Sequence, residues 1–458
     1  MIPPSTASRC DCLTLRLPRA ATALPGANET TFARSTDLDP EPRRGKKHCP
    51  MTAAFTNDES NDESTSPGSD DERNECRLLR ELRHVPEIFA LIGEWTGGEL
   101  GLQSRLRRQY SDELVRAAVS LHELRKRAAV KFTRAAAMWF DRRGMEQSTS
   151  ELVARHKAAR FEDSVWDLCC GIGGDALALA ERCDVIAVDS NPAACLRTQW
   201  NAEGYGAGAR LQTRCTDVLQ LGSLDGLIHV DPDRRVGSEG KASRLEDYVP
   251  GVPELLHLML RCRGGAIKVG PASNFGGKFP NVEIELISLA GECKEATVWF
   301  GELAGMQPFR ATVLPSGETI AGHPLDAVAL QSPLGRYVYD PDPAVVRAGL
   351  IDLVAQRLGL NRLDGAEEYL TGDSLMPSAF VHAFEVLAEL PNNEQTLRAW
   401  LRSSDFGQVE IKCRHIPIKV ESLRKRLPLP GNQPGVVIFA RIDGKSRIIC
   451  ARRCAVMK

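Results

Sequence analysis

The sequence predicts an α/β fold whose central sheet is open and mostly parallel. Short β-rich runs alternate with helical patterns between residues 165 and 315, which is the rhythm of strands joined by crossover helices. The last two β-rich runs are joined by a connection too short for such a helix, and this spacing predicts an antiparallel hairpin. Together these observations indicate one large sheet in which parallel strands are followed by a hairpin.

Seven segments have the composition of strands. They are Val165–Cys169, Val185–Asp189, Ala209–Cys215, Leu227–Asp231, Ala266–Val269, Ala296–Phe300 and Arg310–Leu314. The first five are separated by segments long enough for helices, whereas Gly301–Phe309 joins the last two and suits a hairpin. A parallel sheet that ends in this way is typical of Rossmann-like methyltransferases, while dinucleotide-binding dehydrogenases usually continue with parallel strands.

The length and composition of the chain indicate several domains. Its 458 residues exceed the roughly 100–200 residues that one domain usually takes. Ser, Thr, Pro, Asp and Glu dominate the first part of the chain, a composition typical of disorder. We therefore predict a disordered leader at 1–75, a helical N-terminal region at 76–160, the sheet domain at 161–335 and a small C-terminal α+β domain at 336–458.

The regions that flank the sheet domain have predicted elements of their own. Apolar residues recur near a 3.6 period in Cys76–Ile92 and Leu114–Val130, which predicts helices. The C-terminal domain shows helical patterns followed by a small α/β ending. Its predicted elements are helices Pro343–Leu358, Ala379–Leu390, Glu394–Leu401 and Val420–Leu427, and strands Gln408–Cys413, Val436–Arg441 and Ser446–Ala451.

Composition excludes some classes of protein. No run approaches the ~20 apolar residues that a membrane-spanning helix needs, so we expect no membrane domain. The 14 cysteines are scattered, show no Cys-x-x-Cys spacing and accompany no recognisable secretory signal. We therefore expect reduced thiols, a cytoplasmic location and no bound metal.

The strongest motif joins the first predicted strand to the helix that follows it. In the run from Asp167 to Asp175, glycines allow a tight turn and a close approach of the backbone to a ligand. Gly171, Gly173 and Ala176 also satisfy the dinucleotide pattern G-x-G-x-x-G/A. By itself the turn therefore does not separate a nicotinamide cofactor from S-adenosylmethionine.

Acidic residues at successive strand ends separate these two cofactors. Asp167, Asp189, Asp217 and Asp231 lie in or just after the first four predicted strands. Carboxylates suit the sulfonium and ammonium of S-adenosylmethionine, and they repel the pyrophosphate of a dinucleotide. The pattern therefore predicts an S-adenosylmethionine pocket.

The spacing of these acids predicts individual contacts. Asp189 follows Gly171 by 18 residues, where the end of the second strand accepts ribose hydroxyls. Asp217 is predicted to meet the adenine amino group, and Asp167 or Asp175 the methionine ammonium. The full set of predicted cofactor-binding residues is Gln147, Asp167, Cys169, Gly171, Gly173, Asp175, Asp189 and Asp217.

The fourth predicted strand ends in Asp231-Pro232-Asp233-Arg234-Arg235. Amino-group methyltransferases place an Asn or Asp and a Pro at this point, where they orient a planar amine, so Asp231 and Pro232 are the predicted catalytic residues. The aromatic residue that usually follows is replaced here by arginines. These arginines indicate either a phosphate neighbour or an internal salt bridge with Asp233 or Glu239.

The next predicted strand contains Ile267-Lys268-Val269, and its residues indicate whether the methyl transfer uses a covalent enzyme intermediate. It lacks the cysteine nucleophile with which some RNA uridine methyltransferases attack the base, and Cys262 lies before the strand instead of after it. This disfavours a covalent enzyme intermediate. Lys268 joins Arg234 and Arg235 as a predicted substrate-binding residue.

Several segments together resemble a known family. They are Glu146–Ser150, Val153-Ala154, Arg160-Phe161, Asp167–Asp175, Asp231–Arg235, Lys268–Pro271, Gly291–Glu295, Tyr339–Pro341, Tyr369–Thr371, Ile411-Lys412 and Leu423–Lys425. This set is similar to bacterial class I S-adenosylmethionine-dependent methyltransferases with a C-terminal THUMP-like domain. The family's usual Asp-Pro-Ala-Arg-Arg has Asp233 in place of alanine here.

The resemblance implies a seven-stranded Rossmann-like methyltransferase domain, the cofactor S-adenosylmethionine and, through the THUMP label, an RNA partner. A surplus of basic residues in the C-terminal domain is consistent with RNA. We therefore expect methylation of a base in structured RNA by direct methyl transfer. The alternatives are a small-molecule or protein methyltransferase on the same fold, and a noncatalytic RNA-binding protein that retains the cofactor pocket.

Overall fold

The computed structural model describes residues 69–234 and 244–454. The first part of the described chain is helical. Its helices are α1 (Asp70–His84), α2 (Glu87–Gly93), α3 (Glu99–Leu106), α4 (Asp112–Ala128), α5 (Arg142–Gln147) and α6 (Glu151–Ala158). Buried residues such as Leu82, Leu121 and Met138 share a core with Val165 and Val185 of the sheet domain. None of the helices within the described ranges combines the length and apolar character needed to cross a membrane.

Helix α1 begins earlier than the sequence analysis predicts. The Ser69 side chain accepts a hydrogen bond from the Glu72 amide at 3.3 Å, and the Glu72 carboxylate accepts one from the Ser69 amide at 2.9 Å. This is a capping box, which stabilises a helix start. The predicted disordered leader of 1–75 is therefore wrong for residues 70–75, while residues 1–68 lie outside the described residues.

The sheet domain has the predicted parallel core. Its strands are β1 (Val165–Leu168), β2 (Val185–Asp189), β3 (Leu211–Cys215), β4 (Leu227–Val230), β5 (Gly264–Val269), β6 (Glu283–Leu289), β7 (Glu292–Gly301), β8 (Phe309–Leu314) and β9 (Glu318–Gly322). Helices α7 (Gly174–Ala180), α8 (Pro192–Tyr205) and α9 (Val252–Met259) lie between the first five strands. In the described residues the strand order is β3-β2-β1-β4-β5-β7-β6-β8-β9. The order reverses beside β1, where α/β sheets bind their ligands.

The predicted hairpin exists but is formed by different strands. β7 pairs antiparallel with β6 and β5, whereas β8 runs parallel to β6 and makes no ladder with β7. The prediction that Ala296–Phe300 and Arg310–Leu314 form the hairpin is therefore wrong. β6 was overlooked because Glu283 and Glu285 interrupt its apolar pattern, and glutamate is depleted in strands.

The second sheet forms the C-terminal domain. Its strands are β10 (Tyr337–Pro341), β11 (Asn361–Arg362), β12 (Leu370–Gly372), β13 (Val381–Pro391), β14 (Phe406–Cys413), β15 (Gln433–Ile442) and β16 (Lys445–Arg453). The accompanying helices are α10 (Pro343–Ala348), α11 (Ile351–Leu358), α12 (Glu394–Arg402) and α13 (Val420–Arg424). Among the described residues the strand order is β11-β12-β10-β13-β16-β15-β14. The predicted hairpin of β15 and β16 turns at Asp443 and Gly444, both with positive φ.

One predicted helix of this domain is a strand. Ala379–Leu390 was expected to be helical, but Val381–Pro391 forms β13, which pairs with both β10 and β16. Short apolar runs fit a helical and a strand period almost equally well. Pairing with two neighbours, which the local pattern does not reveal, decides the outcome.

The glutamates of β6 are fully buried and ion-paired. Glu285 accepts hydrogen bonds from Trp299 Nε1 at 2.8 Å and from Arg160 at 3.3 Å, and its Oε1 lies 2.8 Å from His156 Nε2. Although burial opposes ionisation, the hydrogen bond and charge of His156 and the charge of Arg160 lower the pKa of Glu285 to about 2. The folded protein therefore favours the ionised carboxylate.

This shift predicts how acid destabilises the fold. An unfolded glutamate has a pKa of about 4.3, so the stabilisation from ionised Glu285 is fully present above that pH and is lost as the pH falls through about 2. We expect the free-energy difference between wild type and Glu285→Gln, measured by urea unfolding, to shrink by about 3 kcal/mol over this range. Glu292→Gln, a change of an exposed side chain on β7, is the control. An equal pH dependence for both variants would contradict the assignment.

Candidate active site

The turn after β1 forms part of a cavity at the carboxyl ends of the parallel strands. Cys169, Gly171 and Gly173 all have positive φ, of 60°, 57° and 84°. A Cβ at Gly173 would lie 2.9 Å from Cγ2 of Thr198, so a larger residue would displace its neighbour. The cavity has a volume of about 440 Å³, which is a size suited to a small cofactor.

The four carboxylates predicted at strand ends meet on the wall of this cavity. Asp167 belongs to β1 and Asp189 ends β2, while Asp217 and Asp231 follow β3 and β4. The carboxyl ends of neighbouring parallel strands share one edge of the sheet, which explains why distant residues come together. The resulting wall is acidic and suits a ligand that bears positive charge.

Asp167 is a buried carboxylate with one unsatisfied oxygen. It is 1% exposed, and its Oδ1 lies 2.6 Å from Nδ1 of His229. Within the described residues no hydrogen-bond donor reaches Oδ2. Burial raises the pKa of this carboxyl, while the His229 hydrogen bond opposes the rise. Asp167 lines the cavity, and an ammonium is a suitable partner for an unsatisfied carboxylate oxygen.

Asp175, in the first turn of α7, is already paired. Its carboxylate lies 2.8 Å from Nζ of Lys157 and accepts a hydrogen bond from Thr149 Oγ1 at 2.7 Å. Although burial opposes ionisation, the Lys157 ammonium holds the pKa of Asp175 well below its usual range. Both carboxylates predicted for the ammonium line the cavity, and their contact with it stays a prediction.

Asp189 and Asp217 support the backbone around the cavity as well as lining it. Asp189 accepts hydrogen bonds from the amides of Gly171 and Asn191, each at 2.9 Å. Asp217 accepts one from the amide of Leu219 at 2.9 Å. Because a carboxylate can accept several hydrogen bonds, both side chains retain acceptor capacity toward a ligand. Their contacts with ribose and adenine stay predictions.

Asp231 and Pro232 lie on the cavity wall with Lys268 behind them. Nζ of Lys268 donates to Asp231 Oδ2 at 2.7 Å and to the backbone carbonyl of Gln147 at 3.3 Å. Lys268 is 3% exposed, and its predicted contact with a substrate stays a prediction. Gln147, at the end of α5, lines the cavity.

The loop after Pro232 is tied to helix α5. Asp233, the residue that replaces the usual alanine of the family motif, pairs with Arg143, and both line the cavity. Arg234 also lines it, while Arg235 lies outside the described residues. Asp233, predicted as a salt-bridge partner of Arg234 or Arg235, thus pairs with Arg143. Phosphate contact by Arg234 stays a prediction.

Three residues that shape the site were missed in the sequence. Lys157, His229 and Arg143 find their partners across long sequence separations, 62 residues in the case of His229 and Asp167. Local patterns carry no information about such pairs. The one available signal was His229 itself, because a polar residue inside the buried strand β4 needs a buried partner.

Comparison with known proteins first defines the class. Residues 162–249 match the family model described as RNA cap guanine-N2 methyltransferase, and residues 381–453 match the model described as THUMP domain-like. A crystal structure from Porphyromonas gingivalis W83, described as a methyltransferase, shares the fold with a TM-score of 0.65 at 20% identity, covering 84% of this chain and 99% of that one. The fold is therefore that of the Rossmann-like methyltransferases, as predicted.

Sequence relatives then define the family. Two uncharacterised S-adenosylmethionine-dependent methyltransferases from Mycobacterium tuberculosis strains CDC 1551 / Oshkosh and H37Rv are each 36% identical over 336 residues, which is 70% of this chain and 92% of theirs. The chain therefore belongs to the S-adenosylmethionine-dependent methyltransferases, and S-adenosylmethionine is its cofactor. The predicted family, enzyme class and cofactor are confirmed.

The glycine turn predicts a specific effect on cofactor binding. Gly173→Ala and Gly206→Ala both place a side chain at positive φ, but open space surrounds Gly206, so each should lose about 1 kcal/mol of stability from backbone strain. Only Gly173→Ala also displaces Thr198, and we expect it to weaken S-adenosylmethionine binding by about tenfold or more in calorimetry. Equal affinities for the two variants would refute this role of Gly173.

Proposed function

We propose that the protein methylates a base in structured RNA by direct transfer from S-adenosylmethionine. The observation that carries this proposal is the placement of Asp231 and Pro232 on the wall of the cofactor cavity, beside Arg234. The carboxylate and the following backbone carbonyl can hold a planar amine with its lone pair toward the methyl group. The RNA methyltransferase model matches across this loop, and the THUMP-like match supports RNA by analogy.

The cofactor supplies a methyl group activated by its sulfonium. Asp167 would receive the methionine ammonium, Asp189 the ribose hydroxyls and Asp217 the adenine amino group. The turn residues and Gln147 would enclose the cofactor and exclude water, which strengthens these polar contacts. Remaining proposed contacts to the cofactor come from Cys169, Gly171, Gly173 and Asp175.

Arginines and a buried lysine complete the proposed acceptor site. Arg234 and Arg235 would contact phosphate groups of the substrate, for which the guanidinium geometry is well suited. Lys268 would hold the Asp231 carboxylate in place through their 2.7 Å contact. In this arrangement the protein accelerates transfer mainly by alignment.

The pKa values of two thiols, Cys169 on the cavity wall and Cys262 just before β5, favour direct transfer over covalent catalysis. Burial raises the pKa of Cys169 well above its ordinary value, and Asp189 and Asp231 raise it further. Burial also raises the pKa of Cys262 to about 11. A protonated thiol is a weak nucleophile, so neither cysteine provides the thiolate that attack on a base requires.

A second candidate is a small-molecule or protein substrate, with the C-terminal domain as a cover. The observation in its favour is that seven basic residues of the C-terminal domain form ion pairs within that domain. These seven are Lys412, Arg414, Arg424, Arg426, Arg447, Arg452 and Arg453. Paired charges attract phosphate less strongly than unpaired ones, which weakens the compositional argument for RNA.

Methylation of RNA by the purified protein tests the proposal. With labelled S-adenosylmethionine and total RNA from cells that lack the gene, we expect label in RNA and a loss of about a hundredfold or more for Asp231→Ala. Asp225→Ala is the matched control, because Asp225 lies just before the opposite end of β4 and accepts a hydrogen bond from the exposed Ser223. Cofactor binding should survive in both variants.

Other outcomes separate the alternatives. Label in protein or small molecules, with none in RNA, would support the second candidate. Cofactor binding with no turnover on any of these fractions would support a noncatalytic RNA-binding role, provided that RNA affinity falls steeply with salt. Full activity of Asp231→Ala would show that this residue does not orient the acceptor.

A further inference from the structure

A chain of buried polar groups lies behind the cofactor cavity. It joins Lys157 of α6, Asp175 of α7 and Glu295 of β7 to His229 of β4 and Asp167 of β1, and all five are buried. Such groups are costly to bury unless each finds a partner. Five separate elements of the fold contribute to this one cluster.

Lys157 is the centre of the cluster. Its Nζ lies 2.8 Å from Asp175 Oδ1, 2.8 Å from Glu295 Oε1 and 3.3 Å from His229 Nε2. Although burial disfavours its charge, Asp175 and Glu295 raise the pKa of Lys157 above its ordinary value. Because an ammonium has three N–H donors and no acceptor, Lys157 can only donate to Nε2 of His229.

This arrangement fixes the tautomer of His229. Nε2 accepts from the Lys157 ammonium and therefore carries no proton. The ring proton must then be on Nδ1, which lies 2.6 Å from Asp167 Oδ1. His229 is thus a neutral imidazole that accepts from Lys157 and donates to Asp167.

Asp167 and Asp175 are the two members of this chain that line the cavity. With Oδ1 held by His229, Oδ2 is the oxygen that remains without a hydrogen-bond partner in the described residues. The cluster contains three carboxylates and one ammonium, so an added cation at Oδ2 would improve its charge balance. The methionine end of the cofactor carries such a cation.

We propose that Lys157 and His229 are positioning residues for cofactor binding, which hold Asp167 so that its Oδ2 receives the ammonium of S-adenosylmethionine. Neither residue touches the cofactor in this arrangement. Lys157 fixes the imidazole, and the imidazole fixes the carboxylate. The inference rests on the proposed role of Asp167 and is independent of the nature of the methyl acceptor.

Two ligands separate this role from a general structural one. S-adenosylhomocysteine carries the ammonium, whereas 5′-methylthioadenosine keeps the adenosine and sulfur but lacks the amino-acid end. In His229→Gln the side chain can still accept from Lys157 but no longer donates to Asp167. We expect calorimetry on the full-length variant to show S-adenosylhomocysteine weakened by about ten- to a hundredfold, and 5′-methylthioadenosine changed by less than about twofold.

Two further variants act as controls. His229→Asn places an amide donor near the position of Nδ1, and we expect it to restore most of the affinity for S-adenosylhomocysteine. His156→Gln removes an imidazole from the same helix as Lys157, but that imidazole contacts Glu285 and not the cluster. Both ligands should bind this variant as they bind the wild type.

Three outcomes would overturn the proposal. Equal weakening of both ligands in His229→Gln would mean that the cluster only supports the fold. Unchanged binding of S-adenosylhomocysteine, or no rescue by His229→Asn, would show that the Asp167 hydrogen bond does not serve the ammonium. The RNA assay does not enter these comparisons, so a failure of the proposed substrate leaves them interpretable.

A measurement on the unaltered protein covers the case in which variants fold poorly. Nitrogen NMR of His229 should show a neutral ring protonated on Nδ1. The Nδ1 proton resonance should shift when S-adenosylhomocysteine binds and shift far less with 5′-methylthioadenosine. A ring protonated on Nε2, or an equal response to both ligands, would contradict the proposal.

Discussion

The requirement that every buried carboxylate have a partner governs the active-site half of this protein. The parallel sheet brings the ends of β1, β2 and β4 to one edge, and each contributes an aspartate there. Carboxylates this close together repel one another and lose their hydration. Hydrogen bonds compensate for these costs. Backbone amides donate to Asp189, Lys268 donates to Asp231, and His229 contacts Asp167.

The same solution recurs where no ligand is expected. Glu283 and Glu285 of β6 are fully buried, and Arg160 joins both. These glutamates are satisfied within the protein itself. Asp167 combines an oxygen that lacks a hydrogen-bond partner in the described residues with a place on the cavity wall, which is why we propose it as the contact for the cofactor's ammonium. Family membership identifies that cofactor as S-adenosylmethionine.

The sequence predicted what depends on local pattern. The glycine turn, the strand-end acids and the parallel strands are each encoded in a few neighbouring residues, and the structure places them together on one cavity. Partners across the fold could not be predicted, because the contacts of Lys157 and His229 depend on residues from three other elements, β1, α7 and β7. β6 was missed because its buried glutamates resemble a surface segment, and β13 was misassigned because its apolar pattern fits two periods.

Direct measurement of cofactor choice tests the central claim, that the acidic cavity is built for a cationic cofactor. Calorimetry should show S-adenosylmethionine binding at micromolar concentration, no binding of NAD, and a marked loss of S-adenosylmethionine affinity in Asp189→Ala. Binding of NAD by the intact protein, without binding of S-adenosylmethionine, would contradict the account of the glycine turn and of the acids that surround it.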